Sequence, residues 1–181
     1  MLKDELWQRI AKNGDLIMDG GFPATSGEIP DDVILCTTVV WLYRRTEKGI
    51  DLLWQKRSPK VDRNANMWDV SAGGHMNYGE TFIEAVAREA REEIGVEANP
   101  EDFQFVVASP IRGSSIYWCY AIDWTGRPDD FHFDDNEVSE VKWVPLSETD
   151  SFRAEYAKKP LARDDAHFTM LKDWFSHHGD N

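Results

Sequence analysis

The stretch GGHMNYGETFIEAVAREAREEIGV, Gly73 to Val96, decides how the rest of the chain is read. Phe82, Ile83, Val86, Ala87, Ala90 and Ile94 recur at helical spacing and make an apolar stripe fit for burial. Thr81 followed by Glu84 has capping-box spacing, and Gly95 supplies a C-terminal stop, so the pattern predicts a helix over Thr81 to Ile94. Its acids are the anomaly. Glu89, Glu92 and Glu93 fall at i, i+3 and i+4, on one face, with Cβ atoms about 5–6 Å apart. Like charges so placed cost roughly 0.2–0.5 kcal/mol per pair, and the last turn is where the helix dipole disfavours negative charge. Arg88, four residues from both Glu84 and Glu92, offsets only part of this. A solvated polar face is the ordinary account of such a helix. Hard divalent cations, which prefer carboxylate oxygens, give the acids a reason to gather there.

Outward from this helix the chain reads as strands. MWDVSA leads into Gly73-Gly74, and DVILCTTVVWLY (Asp32 to Tyr43) and IDLLWQKRS (Ile50 to Ser58) form a hairpin across RRTEKG. FQFVVAS, SSIYWCYAIDW and SEVKWVPL are three further strands, and DDAHFTMLKDWFSHH is a closing helix that packs Phe168, Leu171, Trp174 and Phe175. Strands interleaved with at least two helices imply an α/β chain whose sheet is covered on both faces. The opening DELWQRIAKNGDLIMDG fits either a short helix or a strand and turn. We take residues 1–31 as an N-terminal extension and 32–181 as one domain.

Bulk properties bound the function. A chain of 181 residues fits one domain and can bury roughly 70% of its unfolded surface. The formal net charge of -13 and a pI near 4.7 argue against nucleic acid or an anionic membrane as partner. A phosphate-bearing ligand would need a metal ion or a local cationic group. Cys36 and Cys119 sit inside apolar runs and read as buried hydrophobes rather than as a disulfide or a metal pair. With no signal peptide and no apolar run approaching about 18 residues, the expected location is the cytoplasm.

Gly74, Glu80, Arg88-Glu89-Ala90, Glu92-Glu93 and Gly95-Val96 match the Nudix box in order and spacing, departing only at Ala90, where a larger aliphatic residue is usual. The chain therefore resembles the Nudix family over residues 32 to 148. That resemblance implies an α/β/α sandwich with a mixed sheet, and a box that binds Mg²⁺ or Mn²⁺ to hydrolyse diphosphate linkages in nucleoside diphosphate derivatives or similar small organic diphosphates. Carried over by position, Glu89, Glu92, Glu93 and the carbonyl of Gly73 would be metal ligands. Arg88 would orient the glutamates and Glu80 would brace the loop. Glu137, six residues before Trp143, would supply a further ligand or the general base, with Glu140 the weaker candidate. The resemblance also allows a homodimer, side by side or domain-exchanged.

Metal chemistry suits these residues on its own terms. A diphosphate repels hydroxide, and a divalent ion both neutralises that charge and lowers the pKa of a bound water from about 15.7 toward neutrality. Lys56, Arg57, Lys60 and Arg63 are the local positive group before the box, and Arg57 and Lys60 are the expected phosphate contacts. Trp54, Trp68, Tyr78 and Trp118 could stack on a base, although aromatics on strands more often fill the core.

Within the family, LLWQKRSPK and MWDVSAGGHMNYGE look most like isopentenyl-diphosphate isomerases, which raises isomerisation as the rival activity. Those isomerases need a cysteine before the glycine-histidine step, where this chain has Val70-Ser71-Ala72, and histidines upstream of the box, where this chain has none before His75. His75 itself reads as a loop residue. A nucleotide-binding Nudix domain without catalysis is the third alternative, but it usually accompanies a degraded box. The intact acids favour the hydrolase.

Overall fold

The computed structural model describes residues 5–11, 13–24, 29–111, 115–133, 136–157 and 165–178. Nine strands among these residues form one mixed sheet: β1 (Leu6–Ile10), β2 (Leu16–Pro23), β3 (Ile34–Thr46), β4 (Gly49–Arg57), β5 (Trp68–Asp69), β6 (Ala72–His75), β7 (Gln104–Ile111), β8 (Ser115–Asp123) and β9 (Val138–Pro145). The helices are α1 (Phe82–Ile94), α2 (Thr149–Tyr156) and α3 (Asp165–His178).

β3 organises the sheet. The strand has thirteen residues and meets four neighbours: β4, β6 and β1 antiparallel, and β8 parallel from Leu35↔Ser115 to Tyr43↔Asp123. Such a strand is buried on both faces, which is why it alternates little. Val40 and Leu42 point to the α1 side with Leu53, Val86, Ala90 and Ile94. Val39, Trp41 and Tyr43 point the other way, onto Phe152 of α2 and Phe168, Leu171 and Trp174 of α3. The helices cover both faces, as expected from the element pattern.

The ambiguous opening segment is a hairpin, β1 paired with β2, and β1 joins β3 at Arg9↔Leu35 and Ile10↔Ile34. Asp4 and Lys12 of that segment lie outside the described residues. The segment after β9 holds a helix, α2, which the sequence reading did not predict and whose first residue is preceded by Glu148 with no side-chain cap bond. Cys36 and Cys119 are buried free thiols, and burial pushes Cys36 up to about 12.

Candidate active site

α1 is held at both ends by its own sequence. Thr81 accepts from the Glu84 amide while the Glu84 side chain accepts from the Thr81 amide, which completes the capping box. Gly95 adopts φ 70, and the Val96 amide donates to Ala90 O at 3.1 Å, closing the last turn. Ala85, Val86, Ala90 and Ile94 anchor the helix over the sheet, so the Glu89–Glu93 face looks along β6.

β6 approaches that face closely because it carries no side chains there. A Cβ on Gly73 would lie 2.6 Å from Thr38 O, and one on Gly74 would lie 2.4 Å from Glu89 Oε1. Any larger residue at either position would displace strand or carboxylate.

Arg88 ties the acids together. Its guanidinium donates to Glu80 (2.8 Å from Nε), Glu89 (2.8 Å), Glu92 (3.2 Å) and the carbonyl of His75 (3.0 Å). These partners, set against the cost of burying the charge, hold Arg88 well above its ordinary pKa. Glu80 in turn accepts from the Asn77 amide, bracing the loop. Burial acts to raise Glu80, yet the hydrogen bonds from Arg88 and Asn77 keep it below the usual carboxylate range. Glu89 shows the opposite balance. Burial, with Glu92 and Glu137 adding repulsion, outweighs Arg88 and pushes it up to about 7. Glu93 is 3% exposed, and its Oε2 accepts from the Gly73 amide at 2.8 Å and from Gln55 Nε2 at 3.0 Å.

Gly73, Gly74, Arg88, Glu89, Glu92 and Glu93 line a cavity of about 480 Å³ together with Glu5, Trp7, Thr37, Arg57, His75 and Glu137. Of the site residues expected from the sequence, Gly73, Arg57, Arg88, Glu89, Glu92, Glu93 and Glu137 share this cavity. Arg57 Nη1 lies 3.8 Å from Glu137 Oε2, where the end of β4 meets the start of β9. Lys60 is not part of the lining; its ammonium reaches Asn136 Oδ1 at 3.2 Å. Glu140 is paired with Lys56 at 3.4 Å, also outside the lining.

The donor set suits a hard cation. The lining carries five carboxylates against two guanidiniums, an excess of hard oxygen donors that suits a divalent ion. Among the described residues no three acid, histidine or cysteine side chains converge as a ligand set. The hydrogen bonds above explain this: Glu93 is turned to Gly73 and Gln55, and Glu89 and Glu92 are turned to Arg88. The residue types and their crowding fit Mg²⁺ or Mn²⁺, whose ligation would exchange some of these bonds.

Four lining or contacting residues escaped the sequence reading: Glu5, Trp7, Thr37 and Gln55. Gln55 carried a usable signal, since it alternates with Leu53 and Arg57 along β4 and so faces the α1 side as a polar residue among apolar ones. Trp54 and Trp68 are core, and Trp118 stacks on Phe82 at 4.1 Å. Ser71, which stands where an isomerase nucleophile is expected nearby, is buried and engaged. It donates to Leu53 O at 2.6 Å and accepts from the Leu42 amide at 2.9 Å.

A family model described as NUDIX domain matches residues 35–171. Over 62 residues, 34% of this chain, the sequence is 44% identical to an uncharacterised Nudix hydrolase of Clostridium acetobutylicum, covering 30% of that protein. A Nudix hydrolase of Deinococcus radiodurans is 34% identical over 110 residues, 59% of this chain and 61% of the relative. The chain thus spans less than two thirds of either relative. The crystal structure of Deinococcus radiodurans DR0079 superposes with a TM-score of 0.70 at 22% identity, over 93% of this chain and 98% of that one, a likeness of fold. No helix among the described residues is long and apolar enough to cross a membrane.

Proposed function

The chain belongs to the Nudix family, and from that premise we propose that it is a Mg²⁺- or Mn²⁺-dependent hydrolase of a diphosphate linkage in a nucleoside diphosphate derivative or similar small organic diphosphate. One observation carries the reading: Glu89, Glu92, Glu93 and Glu137, brought from α1 and the β9 entrance, share a single cavity with the glycine step of β6. Solvated surface acids would have no reason to meet around a glycine that admits no Cβ.

Glu89, Glu92, Glu93, Glu137 and the Gly73 carbonyl would hold the ion. Such an ion, when bound, supplies charge neutralisation for the diphosphate and a more acidic water. The protein's own groups do the rest. Arg88 orients Glu89 and Glu92, while Gln55 and the Gly73 amide orient Glu93. Arg57 binds a substrate phosphate, and Glu137 accepts the proton of the attacking water. Lys60 keeps only an outer role, as a cation near the entrance. The same reading takes residues 32–181 as the Nudix domain, with 1–31 as an extension, and puts the protein in the cytoplasm.

The isomerase reading lacks a nucleophile, because Ser71 is engaged and both cysteines are buried in the sheet. A screen of diphosphate compounds with Mg²⁺ and Mn²⁺, scored by released phosphate and by dimethylallyl product from isopentenyl diphosphate, tests the proposal. Metal-dependent release from a nucleoside diphosphate compound supports it. Isomerised product without release, or no turnover of any compound, overturns it.

A further inference from the structure

The N-terminal hairpin contributes a ring to the acid cavity. Trp7, on β1, stacks on His75 with ring centroids 3.9 Å apart and planes 14° from parallel, and both rings line the cavity. His75 directly follows Gly73-Gly74, so the stacked pair lies one residue beyond the glycine step. Whatever organic group is attached to a diphosphate bound at that step has this aromatic wall beside it.

The hairpin is fastened there. The Gln8 amide donates to Met76 O at 2.8 Å, the Tyr78 amide to Leu6 O at 2.7 Å, and the Gly79 amide to Gln8 Oε1 at 3.2 Å. Gln8 itself is fully buried. β1 is therefore stapled to the loop that launches α1, and Trp7 is held by backbone bonds on both sides. Its ring remains partly exposed. Trp54 and Trp68 are buried, Trp118 is covered by Phe82, and none of the three lines the cavity.

The neighbour of Trp7 narrows the ligand. Glu5, two residues before it in the chain, lines the same cavity. A carboxylate accepts hydrogen bonds and donates none when ionised, so it repels phosphate and rewards N–H or O–H groups. An alkyl chain would cover this carboxylate without pairing it, at a desolvation cost. A flat ring with N–H groups on its edge satisfies both residues at once.

Resting on the hydrolase reading above, we infer that Trp7, backed by His75, is the stacking wall for the planar base of a nucleotide substrate, with Glu5 accepting from that base. Substrate choice then depends on the N-terminal extension as well as on the box. Base–aromatic stacking of this kind changes affinity by about tenfold or more.

The test is binding of non-hydrolysable ligands to the full Mn²⁺-loaded chain, by calorimetry. The ligands are α,β-methylene-ADP, methylenediphosphonate and an alkyl methylenediphosphonate. The expected result is a nucleotide at least about tenfold tighter than either other ligand. Trp7→Ala should remove that advantage and Trp7→Phe should keep most of it, with methylenediphosphonate affinity the same in all three proteins. An advantage that survives Trp7→Ala overturns the inference. So does an alkyl ligand as tight as the nucleotide, or an equal loss for all ligands in both variants, which marks Trp7 as a packing residue. Trp7-dependent nucleotide binding without phosphate release in the substrate screen would keep this inference and overturn the hydrolase.

Discussion

Gln55 donates from Nε2 to Glu93 Oε2 at 3.0 Å, across 38 residues of sequence, at a point where both side chains are almost completely buried. Only the Gly73 amide shares that oxygen among the contacts described above. Among the described residues the Gln55 amide oxygen has no hydrogen-bond partner, an unpaired buried acceptor that apolar packing alone would not call for. Orienting Glu93 accounts for it. Gln55→Met keeps the volume and removes the donor. Groups that orient metal ligands commonly matter about 10–100-fold, and a loss of that size is expected in Mn²⁺ affinity or in turnover. A Mn²⁺ titration and a turnover assay check this; if both match the parent, Gln55 does not orient Glu93.

Glu93→Gln tests the ligand itself. The amide keeps the shape and an acceptor for Gly73, so thermal stability should stay near that of the parent. kcat should fall by about a hundredfold or more if, as proposed, Glu93 supplies one of the charges that hold the ion. Turnover at the parental rate would remove Glu93 from the metal set.

Glu137→Gln separates the base from the ligands. Glu137 is half exposed at the β9 entrance and lies near Arg57, so the change should cost less stability than truncating a core residue such as Leu53. The rate should fall and the acid limb of the pH–rate profile should change. A lower rate on an unchanged profile would assign the base to another group.

The helix was legible because its signals are local. Thr81 and Glu84 cap it within one turn, Gly95 ends it, and the spacing of the acids is itself the motif. The β3 and β4 strands were legible from their β-branched and aromatic runs. What the sequence hid was brought together by pairing at long range. Trp7 and Glu5 reach the cavity only because β1 pairs with β3 and docks on residues 76–79, a register no local pattern encodes. Lys60 shows the converse: charge density near the box says nothing about which way a loop turns, and its ammonium meets Asn136 instead. α2 was missed because a helix of only eight residues is too short to display an apolar stripe at helical spacing.

The brace on the box loop should make stability fall in acid. Hydrogen bonds from Arg88 and Asn77 overcome the effect of burial and hold Glu80 below its ordinary value of 4.5; Glu84 is also depressed, by its bonds to Thr81. A carboxylate whose folded pKa is depressed adds stability that is present above its unfolded value and is lost as pH falls through the folded one. Chemical denaturation should therefore show a stability drop below about pH 4.5 that is smaller in Glu80→Gln than in the parent. Equal acid slopes in the two proteins would show that Glu80 does not bind fewer protons when folded.

His167 should anchor the opposite face of the sheet. It is fully buried on α3, where Trp41 Nε1 donates to its Nε2 at 2.9 Å and the Tyr117 hydroxyl lies 2.9 Å from its Nδ1. The acceptor role of Nε2 requires the neutral ring with its proton on Nδ1. His167→Leu deprives the buried Trp41 N–H of its acceptor, at about 1–3 kcal/mol. Trp41→Phe added to His167→Leu removes the stranded donor along with its partner, so the double variant should lose less than the sum of the two singles. Urea unfolding of the four proteins measures that difference. Strict additivity would mean that the Trp41–His167 bond contributes nothing of its own to stability.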